Sequence, residues 1–269
     1  MMAETAKPRI TIRVGRNTLS FSTVVLSDDG NTVVNYEPYV VKSGISMAAN
    51  LREAFKTSDM LALDTGKAQV LVDAPVLMIP VEIFEESSMA DLYHHAILGH
   101  EHDTVLYNVL PDLNAVAVFA INRDLKLVLD DHFPNLQLLA ALTPVWRHLH
   151  QRSFTGMRNK LYGYFHDRCV DIFAFQQNRF KFCNQFDTNH AHDALYFLLY
   201  VWKQLHLENE HDELHIMGDI PEQAWLMQEL KRYLQNVYII NPAADFQEAP
   251  VTAIADMPYD LMTLLAKGR

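Results

Sequence analysis

The chain has 269 residues, 49% of them apolar, and a formal charge of −11 from 22 basic and 33 acidic side chains. That composition supports a packed core and excludes a disordered or low-complexity protein, and without a Lys/Arg run to track a phosphate backbone it argues against a nucleic-acid partner. The opening MMAETAKPRITIRV lacks an apolar signal core, and the longest uncharged stretch, FPNLQLLAALTPVW, is too short and Pro-interrupted to span a bilayer, so a cytoplasmic setting without membrane insertion is expected.

Alternation of apolar and polar residues in RITIRVGRNTLSFSTVVLSDDGNTVVNYEPYVV, cut at GRN and SDDGN, predicts a three-strand antiparallel meander. Helical periodicity follows in MAANLREAFKTSDML, with Leu51, Phe55 and Leu61 on one side. Then come a strand in AQVLVDAPVLMIP, a helix in SSMADLYHHAIL, two strands in HDTVLYNVLPDLNAVAVFAI and a helix through RDLKLVLDDHF. The short apolar LQLLAAL is compatible with a further strand, and TPVWRHLHQR reads as a helix.

The pattern then restarts. KLYGYFHDRCVDIFAFQQNRFKFCNQFD reads as a second meander with its tight reversal at QQNR, and NHAHDALYFLLYVWKQLHL as a strongly apolar helix whose start is marked by DTN. Strand ELHIM, helix PEQAWLMQELKRYL and strand VYII complete it. Both halves thus run β-β-β-α-β-α-β, which predicts two mixed sheets with helices on their faces. The expected subdomains are residues 1–152 and 153–269, with the boundary between Arg152 and Arg158 and a cleft between the halves.

A duplicated βββαβα unit resembles the actin, Hsp70 and hexokinase superfamily, with its actin-like (ribonuclease H-like) subdomains. The passage AVAVFAINRDLKLVLDDHFPNLQLLAALTP is similar to that of the type IV pilus assembly family PilM, and the whole chain resembles an uncharacterised Bacteroidetes family of unknown function. The resemblance implies an ATP site between the halves, made of Asp-x-Gly hairpins and a Gly-Gly turn beside the adenosine. Such a site needs backbone N–H groups close to phosphates and a carboxylate to organise Mg²⁺.

Measured against that implied site, the first hairpin reads RVGRN: Gly15 matches the glycine, but Arg13 stands where the metal-organising aspartate belongs and would repel Mg²⁺. The second is taken as AFQQNRF, which has neither Asp nor Gly at its turn; Asp171 is the nearest carboxylate, and Phe173 follows it where glycine is needed. In IMGDIPEQ, Gly218 matches the first adenosine glycine and Asp219 replaces the second, while Asp219 and Glu222 suit a capping box with Pro221 in the first helical turn. The degenerate nucleotide positions are therefore Arg13, Gly15, Asp171, Gly218 and Asp219. No G-x-G-x-x-G, P-loop or G-x-S-x-G motif occurs.

Among 13 histidines, HEHD (His100–Asp103) and HAHD (His190–Asp193) stand out. On an extended segment His100 and His102 point the same way and could share a metal with Asp103 or Asp193, whereas HAHD opens a helix, where positions two apart diverge. Exposed histidines near element ends are the expected account, so no metal is assigned, and His94 and His95 cannot both face one ligand. Cys169 and Cys183 read as small buried hydrophobes that do not sit opposite each other. The helix ALYFLLYVW, apolar on nearly every side, lies either between layers or at an interface. The tail DMPYDLMTLLAKGR, with Leu261, Leu264 and Leu265 on one side, is expected to dock on the second subdomain, with partner binding as the alternative.

Together these readings predict a non-catalytic binding or scaffold protein on a degenerate actin-like fold, with no cofactor, with a protein partner and with homo-oligomerisation left open. The alternatives are an ATPase with diverged motifs and a metal-dependent hydrolase built on the clustered histidines.

Overall fold

The computed structural model describes residues 9–26, 32–63, 67–153, 158–176 and 179–267. The expected turns at SDDGN and at Gln177–Asn178, and the centre of the expected boundary segment, lie outside the described residues. Strands β1 (Arg9–Val14), β2 (Leu19–Leu26) and β3 (Thr32–Tyr39) form the expected antiparallel meander. Helix α1 (Met47–Thr57) then returns the chain to β4 (Lys67–Val72), parallel to β1. Asn50, fully buried at the start of α1, ties that end of the helix down through its side chain to the backbone of Lys42, Ile45 and Ser46.

The apolar run after β4 does not continue as one strand. At Asp73 the chain leaves the main sheet, and β5 (Leu77–Pro80), α2 (Met89–Ala96), β6 (Thr104–Leu110) and β7 (Ala115–Ile121) build a separate three-stranded antiparallel sheet in the order β5-β7-β6. Tyr93 of α2 closes one face of this insert, against Ile79, Val116, Val118 and Ala120. After it, α3 (Arg123–His132), β8 (Leu136–Ala140) and α4 (Thr143–Ser153) finish the first unit, whose sheet runs β3-β2-β1-β4-β8.

The second unit repeats the order with β9 (Lys160–His166), β10 (Cys169–Gln176), β11 (Arg179–Asp187), α5 (Ala191–Gln204), β12 (Glu213–Gly218), α6 (Gln223–Tyr233) and β13 (Asn236–Ile239). Its sheet, β11-β10-β9-β12-β13, has the same order and the same mixture of antiparallel and parallel pairs as the first. Short α7 (Pro242–Asp245) and α8 (Tyr259–Lys267) follow.

Helices α1 and α3 cover one face of the first sheet, on Ile10, Ile12, Phe21 and Val70. Helices α5 and α6 do the same for the second, on Leu161, Val170, Ile172 and Ile216. The remaining two faces are covered crosswise. Helix α4 packs Val145, Trp146 and Leu149 on Tyr162, Phe173 and Phe175 of the second sheet. Helix α8, expected to dock on the second half, touches it through Tyr259 against Tyr164 but also packs Leu261 and Met262 with Leu71 and Leu139 of the first. Residue 152 falls inside α4, whose core cluster includes residues of the second sheet and also Leu113, Ala115 and Ala117 of the first-half insert.

Candidate functional site

The two hairpins that open the two sheets meet at the centre of the molecule. In the first, Gly15 N–H donates to the Thr18 carbonyl at 2.8 Å, closing the turn between β1 and β2. Its counterpart is the β9–β10 turn His166-Asp167-Arg168-Cys169, in which Asp167 (φ 43°) and Arg168 (φ 62°) are both left-handed, as a tight two-residue hairpin requires. This corrects the expectation that AFQQNRF faces the cleft: that turn joins β10 to β11, and its Arg179 and Phe180 line a separate groove against β5. The third border is Gly218 (φ +88°), where a Cβ would stand 2.0 Å from the Phe165 carbonyl oxygen. Asp219 N–H donates to that same carbonyl at 2.9 Å.

Between these turns lies a cleft of about 670 Å³, lined by Arg13, Tyr36, Tyr164, Asp167, Gly218 and Asp219, among others. Arg13 sits at its floor, 2% exposed. Its Nε donates to both carboxylate oxygens of Asp260 on α8 (2.9 and 2.8 Å), and its Nη1 donates to Thr18 Oγ1 (3.1 Å) and Asp167 Oδ2 (3.3 Å). Burial works against the guanidinium charge, but Asp260 and the neighbouring Asp73 and Asp167 outweigh it and hold the group protonated well above its ordinary value. A Cβ on Gly15 would come within 2.1 Å of Thr18 Oγ1, 2.4 Å of Asp167 Oδ2 and 2.7 Å of Arg13 Nη1, so glycine is needed there because the clamp fills the space.

Beside the clamp is a second cluster, centred on His166. Its Nε2 lies 2.5 Å from Asp171 Oδ2, and its Nδ1 lies 3.1 Å from Asp73 Oδ2 and 3.9 Å from Asp167 Oδ2. Burial disfavours a charged imidazole, yet Asp73 and the other carboxylates hold its pKa well above the usual histidine range. Asp73 is pushed up by burial but brought below the ordinary carboxylate range by His166, whereas burial dominates at Asp171 and raises it. Cys169 Sγ donates to the His166 carbonyl at 3.0 Å, and burial pushes its thiol up, away from a reactive thiolate.

Of the sequence-selected positions, Arg13, Gly218 and Asp219 line the cleft, Gly15 shapes its hairpin, and Asp171 lies buried behind it on β10. The capping box expected at Asp219 and Glu222 does not form: α6 starts at Gln223, Pro221 precedes it, and its N-cap Glu222 is left-handed (φ 43°) without a side-chain cap. His100 pairs with Asp103 at 2.7 Å, and among the described residues the clusters able to hold a metal centre on His166, not on His100 and His102. His190 and Asp193 instead cap α5 reciprocally. Sequence reading missed His166, Asp73, Asp167 and Asp260. One signal was available, the charged FHDRC between two apolar strands; the other two acids lie in unrelated segments.

A family model described as a protein of unknown function, DUF3822, matches residues 2–237. None of the curated proteins matches the chain's sequence. Among solved structures, a Bacteroides thetaiotaomicron protein with actin-like ATPase fold and unknown function is 29% identical, with a TM-score of 0.82 over 94% of this chain and 100% of that one. The PilM–PilN type IV pilus biogenesis complex contains a chain similar at 10% identity, with a TM-score of 0.60 over 96% of both. The expected actin-like α/β fold is therefore the observed one. No helix among the described residues is long and apolar enough to cross a membrane.

Proposed function

The chain belongs to the DUF3822 family, and we propose that it is a non-catalytic, protein-binding module in which an internal ion-pair clamp stands where the actin-like fold would hold Mg-nucleotide. The observation that carries this is Arg13. Its guanidinium lies on the cleft floor, at the position implied for a metal-organising carboxylate, and joins the first sheet to Asp167 of the second and to Asp260 of α8. A fixed cation on the cleft floor repels Mg²⁺ there, while Asp219 and Asp256 add negative charge to the rim that a triphosphate would face. A partner in the form of another protein is supported by the likeness to a pilus protein solved in complex with PilN.

The second reading, an ATPase with diverged motifs, draws on the open cleft and on Asp167, a carboxylate beside the first hairpin. Calorimetric titration with Mg-ATP and Mg-ADP separates the two. No heat and no thermal shift at millimolar nucleotide is the expected result; micromolar binding would overturn the proposal in favour of the ATPase.

A further inference from the structure

We propose that His166, Asp73 and Asp167 form a binding site for one borderline divalent metal ion of the Zn²⁺, Co²⁺ or Mn²⁺ class, which links the first sheet to the second. One donor atom from each of the three residues lies within 4.8 Å of the other two. Donors about 2.0–2.2 Å from a shared ion stand roughly 3–4 Å apart, and the Nδ1 distances of 3.1 and 3.9 Å to Asp73 and Asp167 fall in that range.

Independent features of the structure point to an ion there. Asp73 Oδ2 is buried with no hydrogen-bond partner, although its side chain is only 3% exposed; it faces Nδ1 without lying along an N–H direction. A carboxylate oxygen desolvated in this way is stabilised by a cation, which is the His166 ring 3.1 Å away until an ion replaces the Nδ1 proton. On the far side of the ring, Asp171 lies 2.5 Å from Nε2, and such a carboxylate fixes the proton on Nε2 and orients Nδ1, the second-shell arrangement found behind metal-bound histidines. Asp167 Oδ2, the oxygen facing Nδ1, also accepts from Arg13 Nη1 (3.3 Å) and Thr18 Oγ1 (3.1 Å), which hold it in place and would share it with the ion.

Charge supports the assignment. The carboxylates of Asp73, Asp167, Asp171 and Asp260, all at most 5% exposed, surround one guanidinium and one imidazole. That leaves buried negative charge in excess even with the ring protonated, and a divalent ion in place of the Nδ1 proton, which leaves to solvent, offsets one charge more. The mixed nitrogen and oxygen donor set selects a transition ion over Mg²⁺, which prefers oxygen donors and retains its waters. His166 and Asp167 also border a recess of about 380 Å³ with Asn17 and Thr188, so an ion has a path from solvent. The alternative set of His166, Cys169 and Asp171 would use Nε2, which Asp171 already holds.

The test uses tag-free full-length protein freed of metal with a chelator, then titrated with Zn²⁺, Co²⁺, Mn²⁺ and Mg²⁺ in separate calorimetric runs. One equivalent of Zn²⁺ or Co²⁺, a Co²⁺ d–d absorption and a rise in Tm are expected, with none of these from Mg²⁺. Asp73→Asn should weaken binding roughly 10- to 100-fold or more; because it also removes the ion pair of Asp73 with His166, the metal-free Tm and circular dichroism of the variant are measured alongside. A His100→Ala/His102→Ala protein should bind as wild type does. Failure of the wild type to take up any of the three transition ions, or Asp73→Asn binding as tightly as wild type, would overturn the proposal. Neither result depends on whether nucleotide binds.

Discussion

Arg13 pairs with two carboxylates from distant parts of the chain, and its removal strands both. Asp260 is fully buried, so Arg13→Met should destabilise the protein by about 3–5 kcal/mol, the usual consequence of leaving one half of a buried pair behind. Arg13→Met/Asp260→Leu, which removes both charges, should recover a large part of that loss in urea unfolding; simple additivity of the two single variants would show that the pair is not coupled. The position of Arg13 was legible in the sequence but its burial was not. Period-2 alternation in RITIRV puts Thr11 and Arg13 on the face opposite Ile10 and Ile12, which for a two-layer sheet means solvent. In the molecule that face is covered by α8, and Thr11, Arg13, Ser20 and Ser22 are all buried there. Asp260 could not be named in advance, because no local pattern reports a contact across 247 residues. His166 escaped for a related reason: the histidine pairs that repeat locally are conspicuous in the sequence, while the His166 cluster assembles from Asp73 just after β4, from β9 and from β10.

At the level of elements, helices and strands with clear periodicity stand where the pattern put them, and the departures have physical causes. AQVLVDAPVLMIP is one apolar run, yet Asp73 breaks it because its N–H donates to the Val14 carbonyl at 2.9 Å and fixes the exit from β4; β5 then serves another sheet. Helix α5, expected either between layers or at an interface, does not lie between layers. It buries Ala194, Leu198 and Val201 while Tyr196 and Tyr200 stay exposed, their rings stacked at 5.9 Å. Strand β12 carries a titrating element of its own. The His215 ring lies between Tyr162 and Tyr238 (centroids 5.6 and 5.2 Å), and burial lowers its pKa more than Glu213 at 2.9 Å raises it, with Lys160 and Arg152 also opposing the charged ring. A folded-state pKa below the unfolded value of about 6.5 means that this contribution is complete above that pH and is lost as pH falls below it. His215→Phe should therefore lose less stability than wild type between about pH 7 and pH 5; equal losses in parallel chemical denaturations would remove His215 as a source of the pH dependence.

On the scale of the whole molecule, the crosswise covering of the sheets by α4 and α8 makes the halves interdependent. Deleting residues 257–267 would uncover Leu71 and Ala141 and discard the burial of Met257, Leu261 and Met262. At about 2 kcal/mol per buried side chain, that loss approaches the roughly 5–15 kcal/mol by which a domain is stable at all. Such a truncated protein should give broad, non-cooperative unfolding and bind a hydrophobic dye before denaturant is added; a sharp transition with wild-type midpoint would refute the interdependence.

The same crosswise covering sets an order in time. As the chain leaves the ribosome, β1 emerges with a charge that has no place in the interior until Asp167 and then Asp260 have been made, and the inner face of the first sheet stays wet until α8 arrives. Neither unit can complete its packing without the other, so the nascent chain carries an unfinished, adhesive surface until α8 has been made, and its docking seals both halves at once.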